Sequence, residues 1–249
     1  MIFYFFLVSL IVQVIFFIPA FFLKSDKLTD FSYALTFIIL AFLAFLLSQD
    51  TWSQRVLLVM IIVWAIRLGT YLVVRIRSIG KDKRFDNVRE NYFKFLIFWV
   101  VQGVVAPLVL VPAFLFFLYS QGERGLLGGI FIWLVGLLIE TLADIQKYTF
   151  YKDSKNETSF LATGLWKYSR HPNYLGEILC WIGVYVFTFT GLVGGNRLIG
   201  IIGPATIIIL ILFFSGIPPL EKSADKKWGK NSQYLAYKRR TALLIPFVF

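Results

Sequence analysis

Long runs of apolar residues separated by short polar segments dominate the chain. The apolar runs cover about 2–23, 31–48, 54–75, 93–119, 125–149, 174–194 and 198–216. Each run is close to the ~20 residues that an α-helix needs to cross the hydrocarbon core of a bilayer. The pattern therefore predicts an all-α fold, a polytopic transmembrane helical bundle of about seven spans.

Composition agrees with a membrane protein. Of the 249 residues, 58% are hydrophobic and 16% are charged, whereas a soluble domain is about 25% charged. The first run begins at Ile2 without a basic segment, which favours a retained span over a removed signal peptide. Cys180 is the single cysteine, so neither a disulfide nor a Cys/His metal site is expected. No linker or internal repeat divides the sequence, and we expect one domain over 1–249.

The net charge of +11 lies mainly in short loops between the spans. The segments Arg75–Lys94, Lys152–Arg170 and Lys222–Arg240 are basic in balance and are separated by even numbers of spans. The positive-inside rule then places all three loops and the C-terminus in the cytoplasm. A bacterial inner membrane and the endoplasmic reticulum both fit, with membrane lipids rather than nucleic acid as partners. The short connections near Gln49, Glu123 and Asn196 are expected on the opposite side.

Two spans carry local signals for their shape. Pro107 and Pro112 predict a kink or break in the fourth span, because proline removes a backbone donor and clashes with the preceding turn. Gly128, Gly129 and Gly136 predict a close approach of the fifth span to a neighbouring helix.

The fifth span ends in a polar face formed by Glu140, Asp144 and Lys147. Their spacings of four and three residues place them on one side of a helix. The pattern is compatible with a simple ion pair between Asp144 and Lys147. Glu140 lies about one turn deeper, where solvation is poorer, and this favours a binding role for the face.

A second polar cluster precedes the sixth span. Gly164 is typical of a turn, and Pro172 fits the first turn of the following helix. The free N–H groups of that helix start suit a phosphate or a carboxylate. The cluster includes the single histidine of the chain, and its members are Arg170, His171, Asn173, Tyr174 and Glu177.

The C-terminal segment is amphipathic and basic. Tyr234 and Tyr237 lie three residues apart, and Arg240 follows. This pattern indicates an interfacial helix, which could also close over a polar ligand as a lid.

The ordered motifs resemble those of the steroid 5α-reductase-like family, in particular its bacterial-type, mostly uncharacterised branch. The resemblance covers roughly 60–249 and includes "LIETLADIQK", "GLWKYSRHPNYLGEILCWIG", "SGIPPLE" and "YLAYKRRTALLIPF". It implies a multi-span membrane reductase whose NADPH lies in a cytoplasm-facing cavity between the later helices. Residues 1–119 would then face the substrate, and 120–249 would bind the cofactor.

The resemblance also implies individual roles. The family's cofactor-binding aspartate matches Asp144, its Asn-x-x-x-Glu pattern matches Asn173 and Glu177, and its tail tyrosine matches Tyr237. Together with the residues singled out above, the expected cofactor-binding set is Glu140, Asp144, Lys147, Arg170, His171, Asn173, Tyr174, Glu177, Tyr234, Tyr237 and Arg240.

The front half departs from the pattern of steroid reductases. Gln49-Asp50 is the nearest match to the family's Gln-Glu pair, and Trp64 lies near the position of its tyrosine, so a 3-oxosteroid is not the expected substrate. The implied reaction is hydride transfer from NADPH to an activated C=C bond of a lipid-like substrate. Tyr71 is the expected acid and Gln102 a further polar contact, although Tyr71 could equally be an aromatic packing residue.

Two other functions stay open at this stage. Membrane methyltransferases that use S-adenosylmethionine share an Arg-His-Pro-x-Tyr-x-Gly element, which matches 170–176, but they usually carry a Glu-Glu pair where this chain has the single Glu221. A lipid-binding scaffold or a small transporter would need a purely structural polar cluster, and no inverted repeat supports a transporter. Sterols, polyprenols, enoyl lipids and unsaturated fatty alcohols are all possible substrates.

Overall fold

A computed structural model describes residues 1–79, 85–86, 88–120, 125–153 and 159–248. The connection expected near Glu123 and parts of the basic loops at 75–94 and 152–170 lie outside these residues. The described residues form eleven α-helices and, apart from one isolated bridge between Ser169 and Ala242, no β-structure. The helices are α1 (Ile2–Phe22), α2 (Lys27–Leu46), α3 (Trp52–Ile79), α4 (Tyr92–Val109), α5 (Val111–Tyr119), α6 (Leu127–Lys152), α7 (Pro172–Thr188), α8 (Gly195–Gly200), α9 (Ile202–Ile209), α10 (Ile217–Trp228) and α11 (Ser232–Arg240).

The fold is an all-α polytopic bundle, as the sequence predicts. Within the described ranges, six helical segments are long and apolar enough to cross a membrane, namely α1, α2, α3, α4, α6 and the run Gly195–Trp228. The remaining predicted span, 174–194, corresponds to α7, which has 17 residues and is therefore at the short limit for crossing a bilayer. It ends before the predicted boundary, at Thr188, where the N–H groups of Phe189 and Gly191 bond to the carbonyls of Val186 and Thr188 in tight turns in place of the α-helical pattern.

The predicted break in the fourth span is confirmed. α4 ends at Val109, and α5 begins at Val111 after a turn at Leu110. Pro112 lies in the first turn of α5, where its missing N–H interrupts no intrahelical hydrogen bond.

The described residues divide into two compact units. The first comprises Met1–Gly129 and Val184–Gly203, and the second comprises Ile130–Gly183 and Pro204–Phe249. The expected single domain, with its functional division at 119/120, stays a prediction.

Polar contacts link the first two helices inside the first unit. Gln13 Nε2 donates a hydrogen bond of 2.8 Å to Thr36 Oγ1, and Ser32 Oγ lies 3.5 Å from Gln13 Oε1. All three side chains are buried. Polar contacts between membrane helices contribute on average about 0.6 kcal/mol each, so they add modestly to an interior that is aliphatic and rich in aromatic rings.

In the second unit, α6 and α7 approach closely through two glycines. A Cβ atom on Gly136 would lie 2.7 Å from the Gly176 carbonyl oxygen, and one on Gly176 would lie 2.5 Å from the Glu140 nitrogen. The close approach predicted for Gly136 is therefore confirmed. The same prediction is wrong for Gly128, where a Cβ would meet nothing within 4 Å, because this residue lies before the crossing.

Candidate functional site

The segment Leu165–Pro172 is here called the wall segment. It begins within a short 3₁₀ turn, Gly164–Lys167, and ends at the first residue of α7. Gly164 has a φ of 60°, which glycine adopts without a steric penalty. Its neighbour Leu165 donates its N–H to Gln146 Oε1 at 3.0 Å, which ties the turn to α6. Pro172 begins α7, as the sequence predicts.

The C-terminal segment is fastened to the wall segment by hydrogen bonds to backbone atoms. Tyr237 Oη donates to the Trp166 carbonyl at 2.7 Å, and Thr241 Oγ1 donates to the Lys167 carbonyl at 3.3 Å. The Arg170 N–H donates to the Ala242 carbonyl at 2.9 Å. Because Tyr237 and Thr241 are buried, these bonds fix the position of the tail against the wall.

Glu221 of α10 is the centre of a charged network with the wall segment and α11. Its Oε1 atom lies 2.9 Å from His171 Nε2. Its Oε2 atom lies 3.4 Å from an Arg170 nitrogen and 3.3 Å from Lys238 Nζ. His171, Arg170 and Lys238 therefore all contact the Glu221 carboxylate. Lys238 also binds Asp225, at 2.6 Å, and this second contact connects α10 with α11.

Burial sets the protonation of His171 and of the two tail tyrosines. Desolvation lowers the pKa of His171, despite the opposing effect of Glu221, so the ring is neutral at pH 7 and donates Nε2–H to the carboxylate. Burial also raises the pKa values of Tyr234 and Tyr237. Both phenols therefore keep their protons, and Tyr234 donates to Asp225 at 3.1 Å.

These residues line a partly open cavity of about 340 Å³, here called the polar cavity because of its charged lining residues. Its walls come from α6, the wall segment, α10 and α11. The lining residues are Lys147, Tyr151, Leu161, Trp166, Arg170, His171, Leu220, Glu221, Ser223, Ala224, Lys227, Trp228, Tyr234 and Tyr237. The charged lining side chains are three cations, Lys147, Arg170 and Lys227, against one carboxylate, Glu221. The cavity thus has a positive excess together with several aromatic rings.

Arg170, which lines the cavity, has one buried donor without an acceptor among the described residues. Arg170 Nε is inaccessible to solvent and makes no hydrogen bond to any described residue. Because a buried donor without an acceptor costs about 1–3 kcal/mol, this atom suits an acceptor supplied by a bound ligand. Lys147 also lines the cavity, and its Nζ atom lies 5.2 Å from the centre of the Trp166 ring.

The structure brings five of the predicted cofactor-binding residues to the cavity. They are Lys147, Arg170, His171, Tyr234 and Tyr237. The other six are not part of its lining, and their roles stay predictions. These six are Glu140, Asp144, Asn173, Tyr174, Glu177 and Arg240.

The six residues outside the lining have different environments. Asp144 is buried, with 3% of its surface exposed, so it does not face lipid; its neighbour Ala143 accepts a hydrogen bond of 3.1 Å from the Trp166 indole. Asn173 Oδ1 is buried and accepts no hydrogen bond within the described part of the chain. Tyr174 stacks on His171 with ring centres 5.8 Å apart.

The remaining three residues lie on α6, α7 and α11. Glu140 is buried on α6, with Oε2 3.9 Å from Cys180 Sγ. Glu177 lies half-buried on α7, one turn after Asn173, and Arg240 is exposed at the end of α11.

The predicted catalytic pair belongs to the first unit. Tyr71 is half-buried on α3, and the Arg67 guanidinium lies 5.8 Å from the centre of its ring. Gln102 Oε1 is buried on α4 without a hydrogen-bond donor among the described residues, so it has capacity for a polar ligand. Asp50 is exposed and forms a bidentate pair with Arg55 at 2.7 Å, an arrangement that does not resemble an interior substrate contact.

Sequence reasoning missed several residues of the network and cavity. Trp166, Asp225, Lys227 and Lys238 received no role, and Glu221 was used only to distinguish two families. A signal was present, because Glu221 and Asp225 lie four residues apart and therefore on one face of the amphipathic helix α10. Their partners are 50 and 13 residues away in sequence, a separation that helical periodicity does not connect.

Comparison with known proteins places the chain in a family without assigning an activity. No curated protein and no solved structure matches it. Residues 16–241 match the family model described as "Protein of unknown function (DUF1295)". The match covers most of the transmembrane helices and the whole polar cavity, so the chain belongs to the DUF1295 family.

Proposed function

We propose that the protein is an integral membrane oxidoreductase that uses NADPH to reduce a C=C bond of a steroid, an isoprenoid or another lipid. The observation that carries this proposal is the polar cavity of the second unit, which presents three cations against one carboxylate. NADPH carries several negative charges on its phosphates, and cationic side chains beside a buried guanidinium donor are the groups that bind phosphate. The order of the motifs in the sequence supports the same choice.

The residues of the cavity fit such a cofactor. Lys147, Arg170 and Lys227 would hold phosphate groups, and Arg170 Nε–H, which has no acceptor within the described ranges, could donate to an anionic oxygen. The indole of Trp166 and the phenol rings of Tyr234 and Tyr237 offer surfaces for flat rings. When bound, NADPH would supply the hydride that adds to one carbon of the C=C bond.

Residues of the protein would orient the cofactor and protonate the substrate. Glu221 keeps His171 in the Nε2–H tautomer and holds Arg170 and Lys238 in place, so the cavity is organised before ligand binding. The second carbon of the C=C bond needs a proton, which an acidic group of the protein would supply. Addition of one hydride and one proton gives the saturated CH–CH product and NADP⁺.

S-adenosylmethionine-dependent methyl transfer is the second candidate. The cavity volume of about 340 Å³ lies near the lower end of the ~300–1,000 Å³ found for ligand pockets, and a single nucleoside needs less room than a dinucleotide. The charge of the cavity argues the other way, because S-adenosylmethionine carries a positive sulfonium. We therefore place reduction first.

Turnover with deuterated cofactor tests the proposal. Purified protein in lipid micelles would receive NADPH that carries deuterium at the transferable position, together with a membrane lipid extract. We expect an unsaturated lipid to gain one deuterium from NADPH and one hydrogen from solvent. A parallel reaction would contain S-adenosylmethionine with a labelled methyl group. Transfer of that methyl group to lipid, without deuterium transfer from NADPH, would overturn the proposal.

Charge variants connect the activity to the cavity. Lys147→Met and Lys227→Met each remove one lining charge, and we expect each to weaken NADPH binding about tenfold, since a charge-assisted contact contributes ~1.5–3 kcal/mol. Lys230→Met is the matched control, because this exposed lysine of the same C-terminal region does not line the cavity. Equal effects at Lys147 and Lys230 would place binding elsewhere.

A further inference from the structure

The wall segment separates two cavities of opposite character. Trp166, Arg170 and His171 line the polar cavity. The interleaved residues of the same segment line a second, apolar groove of about 430 Å³. The groove residues are Ile139, Leu165, Tyr168, Ser169, Pro172, Leu175, Pro246 and Phe247.

The groove is built by the contacts that fix the tail. The isolated bridge between Ser169 and Ala242 holds the chain at the point where it turns towards Pro246 and Phe247. The Phe247 ring then lies against Tyr168, with ring centres 6.2 Å apart. The opposite side of the groove comes from Ile139 and Leu175, at the glycine-mediated crossing of α6 and α7.

The groove borders the lipid-facing side of α6. Leu138, Leu142 and Ile145 are 60%, 50% and 54% exposed, and in a membrane-spanning helix such a face contacts acyl chains. Ile139 is adjacent to Leu138 but lines the groove instead. A hydrocarbon chain that reached the groove along this face would meet mainly apolar side chains.

We propose that this apolar groove binds the hydrocarbon chain of one lipid molecule, and that this lipid is the substrate. The apolar lining of the groove and its position beside exposed residues of α6 support lipid binding by themselves. The identification of the lipid as the substrate rests on the proposed function. The groove would then hold only the hydrocarbon tail of the substrate, and its C=C bond would lie beyond the wall segment, in contact with the cofactor. Burial of each methylene group favours this site for a long, unbranched or isoprenoid chain.

Photolabelling with a lipid probe tests the groove directly. The probe is hexadecanol with a diazirine in the middle of its chain, added to purified wild-type protein in micelles, and labelled peptides are mapped by mass spectrometry. We expect labelling within 139–175 and at the 246–248 tail that an excess of unlabelled hexadecanol removes. Labelling spread along all exposed helix faces, with no competition, would show ordinary surface lipid and would overturn the proposal.

Two neighbouring residues give a matched pair of variants. Ile139→Trp places a large ring inside the groove, and we expect it to reduce the competed labelling about tenfold, the effect of excluding roughly two methylene groups. Leu138→Trp adds the same ring to the lipid-facing side and should leave labelling unchanged. If Ile139→Trp does not fold, Leu175→Phe replaces it, because Leu175 also lines the groove, and it too should reduce the competed labelling. Equal labelling in the two tryptophan variants contradicts the proposal.

The outcome is separable from that of the proposed function. Ile139 does not line the polar cavity, so NADPH binding should be the same in Ile139→Trp and in the wild type. Competed labelling of a protein that binds no NADPH would support the groove and refute the reductase. NADPH binding and deuterium transfer without competed labelling would refute the groove alone.

Discussion

His171 Nε2 lies 2.9 Å from Glu221 Oε1, across 50 positions of the sequence. This contact joins the wall segment to α10 and lies in the lining of the polar cavity. The same carboxylate is 3.4 Å from Arg170, so one side chain orients a neutral ring and a guanidinium together. The contact therefore determines both the shape and the charge of the proposed cofactor site.

Glu221→Gln should destabilise the protein by about 1–3 kcal/mol, because it leaves the partly buried Arg170 without its anionic partner and removes one of the two carboxylates that bind Lys238. The measurement is the free energy of unfolding by denaturant titration in mixed micelles. Asp225→Asn is the matched control on the same helix. Its side chain is 48% exposed, and screening by solvent should keep its effect below about 1 kcal/mol. Equal losses in the two variants would show that Glu221 has no special role in the network.

His171 should make stability fall as pH decreases. Its pKa is lowered by burial, so below about pH 6.5 the unfolded chain takes up a proton that the native state does not. The groups facing the ring are Glu221, which opposes the shift, and Lys147 and Arg170, which add to it.

The pH effect is measured as the difference in unfolding free energy between about pH 7.5 and 5.5. We expect this difference to be smaller in His171→Gln, whose side chain can still donate to Glu221 but does not titrate. An identical pH dependence in wild type and variant would mean that another group is responsible.

Gly176→Ala should separate α6 from α7. The new Cβ would lie 2.5 Å from the Glu140 nitrogen and 2.6 Å from the Gly136 oxygen, and both are backbone atoms of a helix that cannot yield without shifting. Overpacking of this kind costs about 1–3 kcal/mol. Gly128→Ala, which meets nothing within 4 Å, should be neutral or slightly stabilising in the same unfolding assay. A neutral Gly176→Ala variant would contradict the close crossing.

Much of the fold was predictable because membrane helices depend on long apolar runs. The break between Pro107 and Pro112 and the start of α7 at Pro172 also follow from local backbone chemistry. The end of α7 was missed, since apolar residues continue beyond Thr188 and the turns that follow it have no clear signal in the sequence. Gly128 and Gly136 look alike in sequence, and only the position of the crossing distinguishes them.

The candidate site was predictable in part for a similar reason. Lys147, Arg170 and His171 are polar residues at the ends of apolar spans. Ionisable residues are rare in such spans and often indicate a functional site. The role of Glu221 depends on a contact with a distant loop, and neither hydropathy nor helical spacing contains that information. The division of the wall segment between a polar and an apolar cavity likewise arises only from the folded backbone.

Parallel equilibrium titrations of the purified wild-type protein with NADPH and with S-adenosylmethionine test the central claim most directly. The account predicts saturable binding of NADPH that weakens as salt is added, because phosphate contacts with cations are screened, and no saturable binding of S-adenosylmethionine. Saturable binding of S-adenosylmethionine, together with no binding of NADPH, would contradict this claim.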